Sequence, residues 1–402
     1  MKYIDEFRDP AKAKKLVEEI HKLASGMFPS TPLRERTSPV AERSRSQRSR
    51  REHTRSQPLQ IMEFCGGHTH TLFKYGIESM LPDTIEMVHG PGCPVCVLPM
   101  ARVDDCVAIA EQPGVIFTTF GDAMRVPGTR KSLLQAKADG CDVRMVYSPM
   151  DALAIARKNP DREVVFFALG FETTMPSTAL TLLQAHREGL KNFSLFCNHI
   201  TTPATMRAIL TDPDLRLDGF LAPGHVSMVI GAQPYDFVTR DYHKPLVITG
   251  FEPLDILQAL WMLVKQIAEG RCEVENQYAR IVPQAGNTAG LNAIHEVYET
   301  REHSEFRGLG NIGDAGIQIR EAYAAYDAEK KFGIPFDAAP FDSAQGAGSL
   351  KCAEVLRGVM KPWDCPAFGK ECNPQMPLGA LMVSPEGSCA AYYAYGKLAK
   401  RS

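Results

Sequence analysis

Eleven cysteines punctuate the chain, and seven of them stand in three groups whose spacing allows chemistry. The first is Cys65-Gly-Gly-His68-Thr-His70, directly after the apolar run LQIMEF. Paired glycines let backbone approach a ligand, and a helix N-terminus with His68 or His70 nearby is expected to favour the Cys65 thiolate. A thiolate beside imidazoles suits a soft or borderline metal such as iron. The alternative is a buried cysteine whose histidines bond locally. The second group is His-Gly-Pro-Gly-Cys93-Pro-Val-Cys96. A C-x-x-C opening a helix brings two sulfurs within disulfide range, which fits a reversible dithiol, half of a zinc site, or an inert pair. The third group, Cys352, Cys365, Cys372 and Cys389, has gaps of 12, 6 and 16 residues among Pro and Gly turns. Four thiolates suit a [4Fe–4S] cluster or structural zinc; zinc sites favour gaps of about two to four residues, which favours the cluster. Cys106, Cys141, Cys197 and Cys272 have no partner at ligand spacing and read as buried residues.

Five further polar residues follow apolar runs: Asp122 in FGD, Glu172 in GFETT, His199 in NH, His225 in APGH and Glu252 in GFE. In open α/β sheets the loops after the strands form the ligand crevice, so these five are candidates to converge on one cleft. A Gly-Phe-Glu that ends a strand and caps a helix is the competing reading for Glu172 and Glu252.

The elements that must position these residues are legible in the apolar patterning. With 402 residues, 44% of them apolar, and a net charge of -2, the chain is long enough for two or three packed domains. Its start, MKYIDEFRDPAKAKK, lacks an apolar signal core, and no run nears the roughly 18 apolar residues of a membrane span. A cytoplasmic location is expected, and reduced cysteines with it. Residues 1–24 end in an amphipathic helix starting at Asp9-Pro10, with Leu16, Val17, Ile20 and Leu23 on one face. Residues 25–58 carry eight arginines against three glutamates and little that is apolar, so they read as a disordered Arg-rich insert. Without aromatic residues between the arginines to stack on bases, nucleic acid is an improbable partner.

From Leu59 onward, LQIMEFC, TIEMVHG, GVIFTTFG, VRMVYS, VVFFALG, FSLFCN, DGFLAPG and PLVITG alternate with helical stretches. Short continuous apolar runs of this kind are buried parallel strands, giving an α/β fold with parallel-sheet cores. Gly-Phe-Glu leads from strand to helix twice, at Gly170 and at Gly250, which suggests two related halves. The expected layout is an α/β domain over 59–148, a second over 149–268 and a Cys-rich domain over 269–402. Neither G-x-G-x-x-G nor G-x-x-x-x-G-K-[ST] occurs in a strand-to-helix turn, so no nucleotide site is expected.

Taken together, CGGHTH, GPGCPVC, GFETT, LAPGH, GFEPLDIL and the C-terminal cysteine spacing resemble the HypD family of hydrogenase maturation proteins. The resemblance implies two similar α/β domains facing a central cleft and a smaller iron–sulfur domain. It implies a scaffold for the Fe(CN)2CO group of [NiFe]-hydrogenase, working with a HypC-type chaperone and a HypE-type cyanide donor. It makes Cys65 the protein ligand of the nascent iron, Cys93 and Cys96 a redox pair, and Cys352, Cys365, Cys372 and Cys389 the ligands of a [4Fe–4S] cluster. The Arg-rich stretch departs from the short connection the family would have there. Two other classes compete: an iron–sulfur thiol-disulfide oxidoreductase on another substrate, and a zinc-stabilised nucleic-acid-binding protein.

Overall fold

The computed structural model describes residues 5–28, 57–212, 216–334 and 351–396. Its first long helix, Pro10–Met27, starts where the sequence indicates: proline takes the first position, and the Asp9 carboxylate accepts from the Ala11 and Lys12 N–H groups. Ile20 is wholly buried against Leu59, Ile61, Leu257 and Leu260, with Leu16, Val17 and Leu23 packed at the edge. The expected boundary at residue 24 is too early, because the Ser25 hydroxyl donates to the His21 carbonyl and Met27 still packs on that core. Residues 29–56, the bulk of the Arg-rich stretch, lie outside the described residues.

All eight anticipated strands form, at β1 (Leu59–Glu63), β2 (Ile85–His89), β3 (Val115–Thr119), β4 (Val143–Met145), β5 (Glu163–Gly170), β6 (Phe193–His199), β7 (Gly219–Pro223) and β8 (Leu246–Thr249). A ninth, β9 (Val274–Asn276), lacks an apolar run and was not expected. Every pairing among these nine is parallel. They make two sheets, ordered β2-β1-β7-β8-β9 and β4-β3-β5-β6.

Sheet membership differs from the contiguous division at residue 148. The chain lays down β1 and β2, builds the whole second sheet, and only then returns so that β7 can pair with β1, Ile61 opposite Gly219. Parallel strands need long crossovers, and nothing within a strand names its partner; the excursion is therefore invisible locally. The expected third unit, 269–402, is also divided. Val274–Asn276 completes the first sheet, and the helix Thr288–Val297 packs on the second-sheet helix Met175–Arg187 through Ala293, Ile294 and Val297. The segment 351–396 has no core of its own. Val355, Leu356, Leu381, Met382 and Ala390 share one apolar cluster with Val95, Val97, Phe117 and Phe167. Among the described residues no helix is long and apolar enough to cross a membrane.

Candidate metal centre

Cys65 lies two residues beyond β1, where extended backbone (φ -158°, ψ 125°) turns into the helix Gly66–Lys74. Its carbonyl accepts from the His68 and Thr69 N–H groups at 2.9 and 3.1 Å, so the first turn fixes the residue from behind. The sulfur stands 3.5 Å from His225 Nδ1, carried by the helix Gly224–Ile230 that follows β7. Phe251, just past β8, stacks on His68 at 4.9 Å and leans on His225 at 5.0 Å. Three neighbouring parallel strands thus deliver one residue each to a crevice at their carboxyl ends.

The electrostatics reverse one expectation. Burial pushes the Cys65 thiol well above its usual range, and Glu386 and Glu63 add to the effect; the His68 and Gly67 N–H groups oppose it and lose. Desolvation outweighs a single helix end, so the metal-free residue is a protonated thiol. His68 is wholly buried, its Nε2 3.3 Å from the Thr249 carbonyl and its Nδ1 without a hydrogen-bond partner among the described residues. Burial, with His225 alongside, lowers its pKa to about 3. His70 is not part of the centre. Two residues along a helix is a rotation of about 200°, and its ring instead meets Tyr395 edge-on at 5.7 Å.

Cys93 is the N-cap of the four-residue helix Pro94–Val97 and Cys96 lies within it; both are free, buried thiols. Their loop lies on Cys65: a Cβ at Gly92 would stand 2.3 Å from the Cys65 nitrogen and 2.4 Å from its Cα, so only glycine fits. The Gly66 N–H donates to the Gly92 carbonyl at 3.3 Å. On the other side the Cys96 thiol points at the Ala380 carbonyl, 3.8 Å away. Burial raises Cys96, and proximity to Cys93 and Cys389 raises it further.

The C-terminal cysteines come from the helix Cys352–Leu356, two turns after Pro362, and the helix Ser388–Tyr395. All four line one small cavity, together with Phe368, Leu381 and Met382. Burial, then Cys372 and Cys365, lift Cys352 to about 11, while the Arg307 guanidinium pulls the other way. Cys389 is raised well above its usual range by burial and by the other three sulfurs. Four thiols around one apolar cavity are a donor set that fits a polynuclear, thiolate-held cluster. Among the described residues, no three His, Cys, Asp or Glu side chains are gathered closely enough for a single ion.

The five strand-end candidates separate. His225 alone faces Cys65. Asp122 is half exposed, 3.6 Å from Arg125, and near enough to Glu386 to raise its pKa. Glu172 accepts from the Thr202 N–H and hydroxyl, both at 2.8 Å, at the start of the helix Thr202–Leu210; burial lifts its pKa to about 7. His199 bonds Thr178 at 2.9 Å, and burial lowers it to about 4. Glu252 caps the helix Pro253–Glu269 and takes Arg8 at 2.6 and 3.1 Å, so it fastens the N-terminal arm. The capping alternative therefore holds for Glu252, whereas Glu172 binds the start of a helix other than the one it leads into. The two sheets nevertheless approach: buried Tyr235 feels both Glu172 and Cys65.

Comparison with known proteins separates this chain from other thiolate proteins. The sequence model HypD, described as "Hydrogenase formation hypA family", matches residues 41–396. The chain belongs to the HypD family. It is 57% identical over 398 residues to the hydrogenase maturation factor HypD of Rhodobacter capsulatus, covering 98% of both chains. It is 52% identical over 395 residues to HypD of Escherichia coli strain K12, again 98% of each, and 44% identical over 404 residues to that of Cupriavidus necator, covering 99% of this chain and 98% of that one. The matched span contains all three cysteine groups of this HypD-family chain.

Four residues of the centre escaped the sequence reading. Glu63 ends β1 wholly buried, and a lone carboxylate inside LQIMEF was its only signal. His89 ends β2 and stands 2.9 Å from Glu63. Phe251 lies inside the second Gly-Phe-Glu, of which the sequence reading singles out only the glutamate. Glu386 stands at the exposed rim three residues before Cys389, and a Cβ on Gly66 would lie 2.4 Å from its own.

Proposed function

We propose that this chain is a scaffold on which the Fe(CN)2CO group of a [NiFe]-hydrogenase is assembled, with Cys65 as the protein ligand of the iron. The observation that carries the reading is the Cys65 crevice: a buried thiol 3.5 Å from His225, with the Cys93–Cys96 loop lying against its backbone. As iron binds, the thiol must lose its proton, and His225 Nδ1, 3.5 Å away, is placed to relay it onward to solvent rather than to keep it. Burial lowers the His225 pKa to about 4, so the imidazole is neutral and its nitrogen available. His68 and Phe251 wall the crevice against water.

Cys352, Cys365, Cys372 and Cys389 would hold a [4Fe–4S] cluster, which when bound supplies one-electron chemistry. Cys93 and Cys96 together can release two electrons and two protons on closing to a disulfide, and their loop touches both Cys65 and the segment that carries the quartet. A thiol-disulfide oxidoreductase acting on another protein would need an accessible attacking sulfur; Cys93 is 3% exposed and Cys96 2%. The scaffold reading therefore stands ahead of it. A HypC-type chaperone sharing the iron and a HypE-type cyanide donor are the partners this function requires, and the cytoplasm is its place.

Affinity capture of the chain co-produced with a HypC-type chaperone tests the proposal. The expected complex shows infrared bands of iron-bound cyanide and carbon monoxide. A stable complex with neither band would overturn it.

A further inference from the structure

One buried charge network near the centre has no part in the chemistry above. Glu63 is fully inside the protein, and each of its oxygens is engaged. Oε2 accepts the Cys65 N–H at 2.8 Å, and Oε1 takes the Thr69 hydroxyl and His89 Nδ1, the latter at 2.9 Å. The other imidazole nitrogen of His89 lies 2.9 Å from Glu78. The Glu63 carbonyl also accepts the Gly90 N–H at 2.9 Å, one residue into the loop that carries Cys93. The His89 ring packs on Phe73 at 5.1 Å and meets Tyr392 at 5.6 Å, in the helix that carries Cys389. The carboxylate and the imidazole thus tie the Cys65 loop to the end of β2, from which the Cys93 loop departs, and the imidazole also meets the helix that carries Cys389.

A fully buried carboxylate is costly unless its partners are fixed, and an apolar residue would fill the end of β1 more simply. The cost is reasonable if the contacts fix geometry. We infer that Glu63 and His89 form a clamp that holds the Cys65 loop in register against the Cys93 loop, which makes both of them positioning residues for the metal centre. The inference deepens the reading of Cys65 as iron ligand and rests on that reading for its purpose, though the clamp itself is a matter of geometry.

The test uses the full chain, free of assembled iron, under reducing and oxygen-free conditions. Iodoacetamide labelling is followed peptide by peptide, with buried Cys106 and Cys197 as internal standards. Glu63→Gln and His89→Gln should each speed labelling of Cys65 about tenfold relative to those standards, because the loop opens more often once a buried charged hydrogen bond is lost. A purely electrostatic role predicts opposite signs: removing the negative group speeds thiolate formation, and removing the positive one slows it. Opposite signs would therefore overturn the clamp, as would an equal rise at Cys106 and Cys197 or no rise at Cys65. Should either variant fail to fold, Thr69→Val carries the same test, since it deletes the hydroxyl bond to Glu63 together with a longer one, 3.4 Å, to the Cys65 carbonyl. A rise of about threefold confined to Cys65 supports the clamp, and an unchanged rate refutes it. Iron is absent from this readout, so failure of the clamp and failure of Cys65 as iron ligand give separate results.

Discussion

The Cys65 crevice and the C-terminal quartet are both built on sulfur, yet they are held in opposite ways. Cys65 sits at the carboxyl end of an interior strand of a five-stranded parallel sheet, with its N–H, its carbonyl and its neighbours all bonded before any metal arrives. The quartet sits among turns and short helices such as Cys352–Leu356 and Ser388–Tyr395, and burial together with the neighbouring sulfurs raises the Cys352 and Cys389 thiols. The first region is a receptacle shaped in advance. The second would be completed by the proposed cluster, as small thiolate sites commonly are by their metals. A cargo that must arrive and leave suits the former, and a resident cofactor suits the latter.

The sharpest way to break this comparison is to remove one sulfur from each. Cys372→Ser should abolish the visible absorption of a bound cluster and lower Tm by about 5–10 °C, since several kcal/mol of cofactor-coupled stability would go with it. Cys65→Ser should leave Tm within about 2 °C, because its frame is made by backbone and by Glu63. Differential scanning calorimetry decides, and equal shifts would mean that the quartet is as self-sufficient as the crevice.

A smaller effect probes the crevice alone. Gly92→Ala forces a Cβ to 2.3 Å from the Cys65 nitrogen, backbone against backbone, and should cost about 3 kcal/mol in urea unfolding. Gly26→Ala, where a Cβ meets nothing within 4 Å, should be neutral or stabilising by up to about 1 kcal/mol. If the two substitutions cost the same, the loops do not make the close approach described.

The smallest effect is in pH, and it belongs to the two parallel sheets rather than to the quartet, because residues 351–396 contain no histidine. Burial, with His225 alongside, holds His68 near 3; burial alone holds His199 and His225 near 4, against an ordinary 6.5. Their contribution is complete above 6.5 and falls as pH drops, because the unfolded chain then binds protons that the folded chain refuses. His89 has the opposite sign: burial opposes its charge, but Glu78 and Glu63 outweigh burial and raise it to about 9. Its contribution is complete below 6.5 and is lost as pH rises towards 9. Glu172, raised to about 7 by burial, acts in the same sense between 4.5 and 7. Three groups against one on the acid side place maximal stability near pH 6.5. Urea unfolding between pH 5 and 9 should show that maximum, and His89→Gln should flatten the alkaline limb while sparing the acid one. A steady rise through pH 9 would contradict the His89 assignment.

Much of this was legible in the chain because apolar runs announce buried strands and cysteines announce themselves. All eight anticipated strands form, and cysteines separated by gaps of 12, 6 and 16 residues do line one cavity. Sheet membership was not legible, since β7 pairs with β1 across a whole intervening sheet. The roles of single polar residues were the least legible. Glu172 and Glu252 follow the same Gly-Phe pair that places Phe251 in the crevice, yet Glu252 caps the helix it leads into and Glu172 binds the start of another, while Glu63 hides inside an apolar strand. Whether a carboxylate caps, clamps or binds is decided by what packs over it, and that is settled only in three dimensions.

The central claim is that Cys65 carries the iron, and infrared spectroscopy of the complex with a HypC-type chaperone tests it most directly. Wild type and Cys272→Ser, a substitution on the far edge of the first sheet, should both show bands of iron-bound cyanide and carbon monoxide, and Cys65→Ser should show none. Undiminished bands at unchanged frequency in Cys65→Ser would contradict the account.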